Sequence, residues 1–285
     1  MSEMQDTRGS NPADRPAGRD YPLTRSLTVA IPVLNEACNI ERTVDAVLAS
    51  AAKVPDLRVE ILVVDDGSTD RTAEIVRNLS QQRGSIRLIQ NTKNIGLGAS
   101  IRRAIEAAQG DKFLMIPGDN DIPANTLELL LKNAYAAEVV MCYFHNDELR
   151  GRFRFLISTL FMLIYTTCFD LYAQYLNGPA VYPVERLRDL KLHSTKFSIA
   201  SEINVKLLRQ GVTFVEVPSN RQGGPEGSTS LSFLNLIETF RVFFQVLLDV
   251  YVRHPTRYAY RPVRLSYELS LSPSVQVVRG EHLSA

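Results

Sequence analysis

The chain has no long hydrophobic run. Its longest nearly apolar stretch, Phe155 to Phe169, is closed by Arg154 and Asp170 and falls short of the roughly 20 apolar residues that cross a bilayer as a helix. The first 25 residues are polar and rich in proline, glycine and charge, with no apolar segment of the kind a secretory signal requires. They read as a mobile tail. The three cysteines, Cys38, Cys142 and Cys168, are too few and too widely spaced for a disulfide framework or a zinc site, and fit a reducing cytoplasm. The four histidines join no Ser-His-Asp or Cys-His pattern. A formal net charge of +1 provides no global field for nucleic acid, so nucleic-acid binding is not expected.

What is present is enough apolar material, 45% of 285 residues, to bury one substantial core. From Leu27 short apolar runs alternate with helix-period segments, the pattern of an α/β fold with a mostly parallel sheet. Strands are expected at 27–33, 59–65, 86–90, 112–117 and 137–143. Helices are expected through Ile40–Leu48, from a cap near Ser68–Thr69, and over Ala99–Gln109 before Gly110. Beyond Arg150 the spacing predicts a long aromatic amphipathic segment to Leu176, a strand at 181–184, a helix near 200–210, a strand at 213–217 and an amphipathic helix from Leu231 to Val252. The implied division is a tail (1–25), one α/β domain (26–230) and an amphipathic helix with a C-terminal extension (231–285).

In such sheets ligands collect beyond the carboxyl ends of the strands, which picks out four loops. Asp119 and Asp121, on a turn opened by Gly118, place two carboxylates one residue apart, a donor set for Mg²⁺ or Mn²⁺ bridging a diphosphate. With 15 aspartates in 285 residues, about one Asp-x-Asp arises by chance, so the neighbouring loops must supply specificity. Asp65 and Asp66 end a buried strand before Gly67 and a helix start. They offer acceptors to a base or ribose, and two adjacent carboxylates exceed what a helix cap needs. Pro32, Leu34, Asn35 and Glu36 leave the first strand at the same edge. In Asn94–Ser100, Gly96 and Gly98 allow a backbone to approach a ligand or a neighbouring segment closely, without the lysine of a phosphate loop.

In this order and spacing the four loops resemble the family 2 inverting glycosyltransferases of GT-A fold, and most of all the branch of dolichol-phosphate mannosyltransferases and polyprenyl-phosphate glycosyltransferases. The resemblance is strong from Leu27 to about Val140. It implies that Pro32, Leu34, Asn35, Glu36, Asp65 and Asp66 surround the nucleoside of a UDP- or GDP-sugar, with Gly98 and Asn120 beside it. It also implies that Asp119 and Asp121 hold metal and diphosphate as the catalytic pair.

For the acceptor two chemistries stand side by side. A sugar hydroxyl needs a base, for which Glu202 is the candidate. A lipid phosphate is already ionised and needs cations, for which Arg150, Arg152 and Arg154 stand immediately before the amphipathic stretch, with Arg221 further on. Where the lipid-phosphate branch carries a lysine after that arginine this chain has none. The expectation is transfer to a polyprenyl phosphate or similar membrane-embedded acceptor, by a protein lying peripherally on the cytoplasmic face. The alternatives are a saccharide-hydroxyl acceptor, as in polysaccharide or O-antigen assembly, and a non-catalytic membrane-associated binding module. Nucleotidyltransfer would require a basic glycine-rich loop where PVLNEACNI stands.

Overall fold

A computed structural model of the protein describes residues 25–144, 152–219 and 233–267; the expected N-terminal tail, apart from Arg25, lies outside them. Eight strands form one sheet: β1 (Arg25–Val33), β2 (Leu57–Asp65), β3 (Ile86–Gln90), β4 (Lys112–Met115), β5 (Val139–Phe144), β6 (Ala180–Pro183), β7 (Thr213–Ser219) and β8 (Val263–Arg264). Their spatial order is β3-β2-β1-β4-β6-β5-β7-β8. The pairs β1–β2, β1–β4, β2–β3, β5–β7 and β7–β8 are parallel, while β6 runs antiparallel to both β4 and β5. Seven strands therefore finish at one edge, where β6 begins.

The helices are α1 (Ile40–Ala51), α2 (Thr72–Gln82), α3 (Leu97–Ala107), α4 (Ala124–Lys132), α5 (Arg152–Phe169), α6 (Val184–Arg188), α7 (Ile199–Leu208) and α8 (Phe233–Leu248), the last continued by a π-helical turn, Asp249–Arg253. The apolar runs of β1 and β2 are continuous because the sheet is covered on both faces. Alternate residues serve two cores: Ala30, Leu62 and Val64 face one, and Val29, Ile31 and Val63 the other.

Val242, Val246 and Val250 share a core with Ile203, Leu207 and Phe169, and β8 lengthens the sheet by pairing with β7. One expectation is corrected. The second helix begins at Thr72 rather than beside Ser68–Thr69, because those two residues are drawn into the loop after β1.

Candidate donor and acceptor site

The loop leaving β1 is stitched to the loop leaving β2. Asn35 takes a left-handed backbone (φ 58°), a conformation that asparagine tolerates better than most residues. Its N–H donates to Ser68 Oγ (2.9 Å), and its Oδ1 accepts from the Thr69 N–H (2.8 Å). The Glu36 N–H donates to Thr72 Oγ1 (2.9 Å), and the Ala37 N–H to Asp70 Oδ2 (3.2 Å). The Thr72 hydroxyl, with the Thr72 and Ala37 amides, holds the Asp70 carboxyl below its ordinary range. Leu34 and Asn35 are exposed, Pro32 and Glu36 half-buried, so this rim is rigid and open to a ligand.

The adjacent carboxylates part company. Asp66 is spent on the chain itself: Oδ1 accepts from Asn91 Nδ2 (2.8 Å) and the Ile95 N–H (2.9 Å), and Oδ2 from the Gly96 N–H (2.9 Å). Asp65 is fully buried. Its Oδ1 accepts from the Ser68 N–H (3.0 Å), and its Oδ2 is buried with no hydrogen-bond partner among the described residues. Buried carboxylate oxygens without a donor are rare, because leaving one unmatched costs about 1–3 kcal/mol or more. Here the vacant oxygen stands where β2 ends, at the edge where the parallel strands deliver their loops.

Gly96 and Gly98 serve an approach between chain segments. A Cβ at Gly96 would stand 2.4 Å from the Thr195 carbonyl oxygen, and one at Gly98 2.5 Å from that of Ser194. The Gly98 N–H donates to Thr195 O (3.0 Å). Of the two readings of these glycines, the structure supplies the neighbouring segment, and it is a loop nearly a hundred residues further along.

On the other side of β1, a Cβ at Gly118 would meet Val33 Cγ1 at 2.4 Å, and the Gly118 carbonyl accepts from Thr43 Oγ1 of α1 (2.9 Å). That anchors the turn, which reverses at Asn120 (φ 60°) and places Asp119 and Asp121 in the open. The Asp121 N–H donates to Asp119 Oδ1 (3.1 Å). Among the described residues no three His, Cys, Asp or Glu side chains form a closed cage. Two exposed carboxylates on a fixed turn suit Mg²⁺ or Mn²⁺, hard cations that keep waters and substrate phosphates in their shell. Strands β2 and β4 flank β1, so Asp65 and this turn stand two strand spacings apart, about 10 Å, a span that a base, ribose and diphosphate can bridge.

Residues 28–180 match the Glycosyl transferase family 2 domain, a span of more than half the chain. The chain belongs to glycosyl transferase family 2. It is 35% identical over 109 residues to the dolichyl-phosphate beta-glucosyltransferase ALG5C of Trichomonas vaginalis, a match covering 37% of this chain and 32% of that protein. It is 34% identical over 115 residues to the human dolichyl-phosphate beta-glucosyltransferase, covering 38% and 36%. The matches thus span only about a third of those relatives' lengths. An uncharacterised protein of Methanocaldococcus jannaschii is 30% identical over 199 residues, covering 65% of this chain and 83% of that one. Among solved structures, glucosyl-3-phosphoglycerate synthase of Mycobacterium tuberculosis superposes with a TM-score of 0.57 at 20% identity, covering 79% of this chain and 80% of that one. The same enzyme in complex with Mn²⁺, UDP and glucosyl-3-phosphoglycerate gives 0.53 at 19% identity, covering 83% and 81%. These likenesses establish the GT-A fold.

On the acceptor side of this family 2 chain, Arg150 and Arg221 lie outside the described residues. Arg152 and Arg154 form the first turn of α5, and their side chains are likewise outside the description. Glu202 does not fit the role of a base. It is fully buried, its Oε1 accepts from the His193 N–H (2.9 Å) and Lys206 Nζ (2.8 Å), and its Oε2 from the N–H groups of His193 (3.0 Å) and Ser194 (2.8 Å). A general base must reach the proton it removes, and this carboxylate instead fixes the loop that presses on Gly96 and Gly98.

Sequence reasoning did not include the residues that order the site from behind. Asn91 joins Asp66 to Ser100 Oγ (2.9 Å). Glu238 of α8 accepts from Ser194 Oγ (2.9 Å), the Thr195 N–H (3.1 Å) and Ser198 Oγ (2.9 Å). For Glu238 the available signal is a polar residue within an apolar helix period.

Proposed function

We propose that the protein transfers a hexose, with inversion, from a UDP- or GDP-sugar to a polyprenyl phosphate or a similar membrane-embedded acceptor, using Mg²⁺ or Mn²⁺ at Asp119 and Asp121. The observation that carries the donor half is the buried Oδ2 of Asp65, without a partner among the described residues, at the strand edge that also presents the Asp119–Asp121 turn. Asp65 accepts a hydrogen bond from the base or ribose, and the rim of Pro32, Leu34, Asn35 and Glu36 encloses the nucleoside, with Asp66 and Gly98 shaping its far wall through the loop they hold. The metal supplies charge neutralisation on the departing diphosphate. Asp119 and Asp121 hold it, and Asn120 sets the turn that aims both carboxylates.

A phosphate acceptor is favoured because the one carboxylate proposed as a base, Glu202, has both oxygens committed, and an ionised phosphate needs none. Its oxygen forms the new bond to the anomeric carbon as the bond from that carbon to the diphosphate breaks, so no proton has to be removed. Arg152, Arg154 and Arg221 are the groups proposed to hold that phosphate, and the dolichyl-phosphate names of two relatives support this acceptor class. The corresponding place is the cytoplasmic face of a membrane, with the protein bound peripherally.

The test follows UDP or GDP release from a panel of nucleotide sugars with Mn²⁺ or Mg²⁺, with and without a short polyprenyl phosphate, beside Asp121→Ala. Release that requires both metal and lipid phosphate, and disappears in the variant, is expected. Metal-dependent release indifferent to the lipid would point to a saccharide hydroxyl as acceptor. Absence of nucleotide binding would leave the proposal without support.

A further inference from the structure

Helices α5 and α8 form one plate. The rings of Tyr165 and Phe169 meet Phe243 at centroid distances of 5.2 and 5.6 Å, and Tyr251 stacks on Phe169 at 6.4 Å. The seam faces the core, yet each helix has a second apolar stripe facing away from it. Leu156, Leu160 and Leu163 of α5 and Ile237, Phe240, Phe244 and Leu248 of α8 are all exposed, at the three- and four-residue spacing of a single helix face. The plate is about 24 Å long and two helices wide, so its apolar area is on the order of several hundred Å², the size at which an exposed patch marks an interaction site.

The charge pattern indicates the occupant. Helix α5 contains no acidic residue, and the two acidic residues of α8 and its π-helical turn, Glu238 and Asp249, are both buried on the inner side. Arg241, exposed within α8, reaches back to donate to the His193 carbonyl (3.3 Å), and the other arginines stand at both ends: Arg152 and Arg154 in the first turn of α5, and Arg253, Arg257 and Arg261 after α8, all three exposed. Some of these carry local partners: Arg261 pairs with Asp170 at 2.8 Å and Arg253 with Asp249 at 2.9 Å. The hydroxyls of Thr159 and Thr166 are turned back on the helix, donating to the carbonyls of Phe155 (2.9 Å) and Met162 (2.7 Å). An apolar strip with inward acids and arginines at its rims is the pattern of a helix lying in the headgroup plane of an anionic bilayer. A second copy fits poorly, since two-fold pairing of the plates, parallel or antiparallel, brings arginine-bearing ends together.

We infer that the outer face of α5 and α8 docks flat on an anionic lipid surface. Both helices follow strands, β5 and β7, that finish at the edge where the donor site lies, so docking sets that edge beside the headgroups. This deepens the proposed use of a lipid-linked acceptor and rests on that reading only for its purpose.

The test is sedimentation of the full-length protein with vesicles, without nucleotide sugar, comparing phosphatidylcholine with an equal mixture of phosphatidylcholine and phosphatidylglycerol. Preferential binding to the anionic vesicles is expected, weakening as salt rises. The pair Leu163→Ser and Phe240→Ser should lower the partition by more than about tenfold. The pair Arg257→Gln and Arg261→Gln should remove the preference for anionic lipid. Melting temperatures within a few degrees of the parent's keep either loss from being assigned to unfolding. Equal binding of parent and variants, or no binding by the parent, overturns the inference, as does a parent dimer that the apolar pair converts to monomer. Because the vesicle assay uses no donor, its failure is separate from failure of the transfer reaction in detergent.

Discussion

Asp65 and Asp66 are neighbours at one strand end, and the partners of their oxygens predict opposite phenotypes. Asp65→Asn removes an acceptor that the fold leaves without a donor. A hydrogen bond to a charged group is worth about 1.5–3 kcal/mol, so nucleotide affinity should fall roughly 10- to 100-fold with little change in melting temperature. Asp66→Asn deprives the Ile95 and Gly96 amides of a carboxylate and should lower the melting temperature first. Calorimetric titration with the preferred nucleotide, beside thermal unfolding, separates the two; equal loss of stability in both would show that Asp65 is also structural. Glu216 offers a pH-dependent test at the same scale. Its side chain is 1% exposed and pairs with Arg264 at 2.9 Å, and burial pushes its carboxyl up against the opposing Gln174 amide and Arg264. A raised folded-state pKa contributes stability that is present below the ordinary glutamate range and lost as pH rises through the raised value. Glu216→Gln should therefore gain on the parent in melting temperature as pH rises above the ordinary glutamate range, about pH 4. A difference independent of pH would contradict the assignment.

At the scale of elements, α7 is bound to α8 by a buried charge cluster. Lys206, fully buried, reaches Glu202 at 2.8 Å and Asp249 at 2.9 Å, and His193 Nε2 lies 2.7 Å from Asp249. Burial pushes the Asp249 carboxyl up, but hydrogen bonds from Lys206, Arg253 and His193 outweigh it and hold it well below its ordinary range. Lys206→Met leaves two carboxylates facing each other in the interior, and urea unfolding should register a loss of about 3–5 kcal/mol. A loss under about 1 kcal/mol would place the cluster among exposed pairs. In sequence, Glu202 and Lys206 look like a solvent-facing i,i+4 pair; in the structure all ten residues of α7 are buried, because the sheet, α5 and α8 enclose it. Such burial is set by tertiary packing, beyond what a local window holds. The same limit explains Gly96 and Gly98 at the start of α3, whose neighbour at Ser194–Thr195 is remote in sequence, and β8, whose two exposed residues show no alternation. The strands β1 and β2 and their loops were legible because fully enclosed parallel strands read as unbroken apolar runs, and the carboxyl-edge rule then pointed to the carboxylates that follow them. The antiparallel β6 was visible as a strand but not in direction, since alternation carries no sense of pairing.

For the whole molecule, one sheet reaches from β3 to β8, and one core joins Ala30 and Leu62 to Tyr165, Ile203 and Val246. The half that carries the strand-end loops and the half that carries α5 and α8 therefore lack the separate cores that independent folding requires. Truncation after residue 230 would strip α8 from Tyr165 and Phe169, remove Asp249 from Lys206 and take Glu238 from the Ser194–Ser198 loop, undoing the backing of Gly96 and Gly98. Such a chain should show no cooperative melting and no nucleotide binding, although every donor-site residue named here remains in it. The intact protein should melt in one transition. Nucleotide and Mn²⁺ together at about a hundred times the dissociation constant stabilise by roughly 2.7 kcal/mol and should raise that single transition by about 5–10 °C. Two transitions, of which only one moves with nucleotide, would mean that the halves fold apart, and a truncated chain that still binds nucleotide would show that α8 serves docking alone.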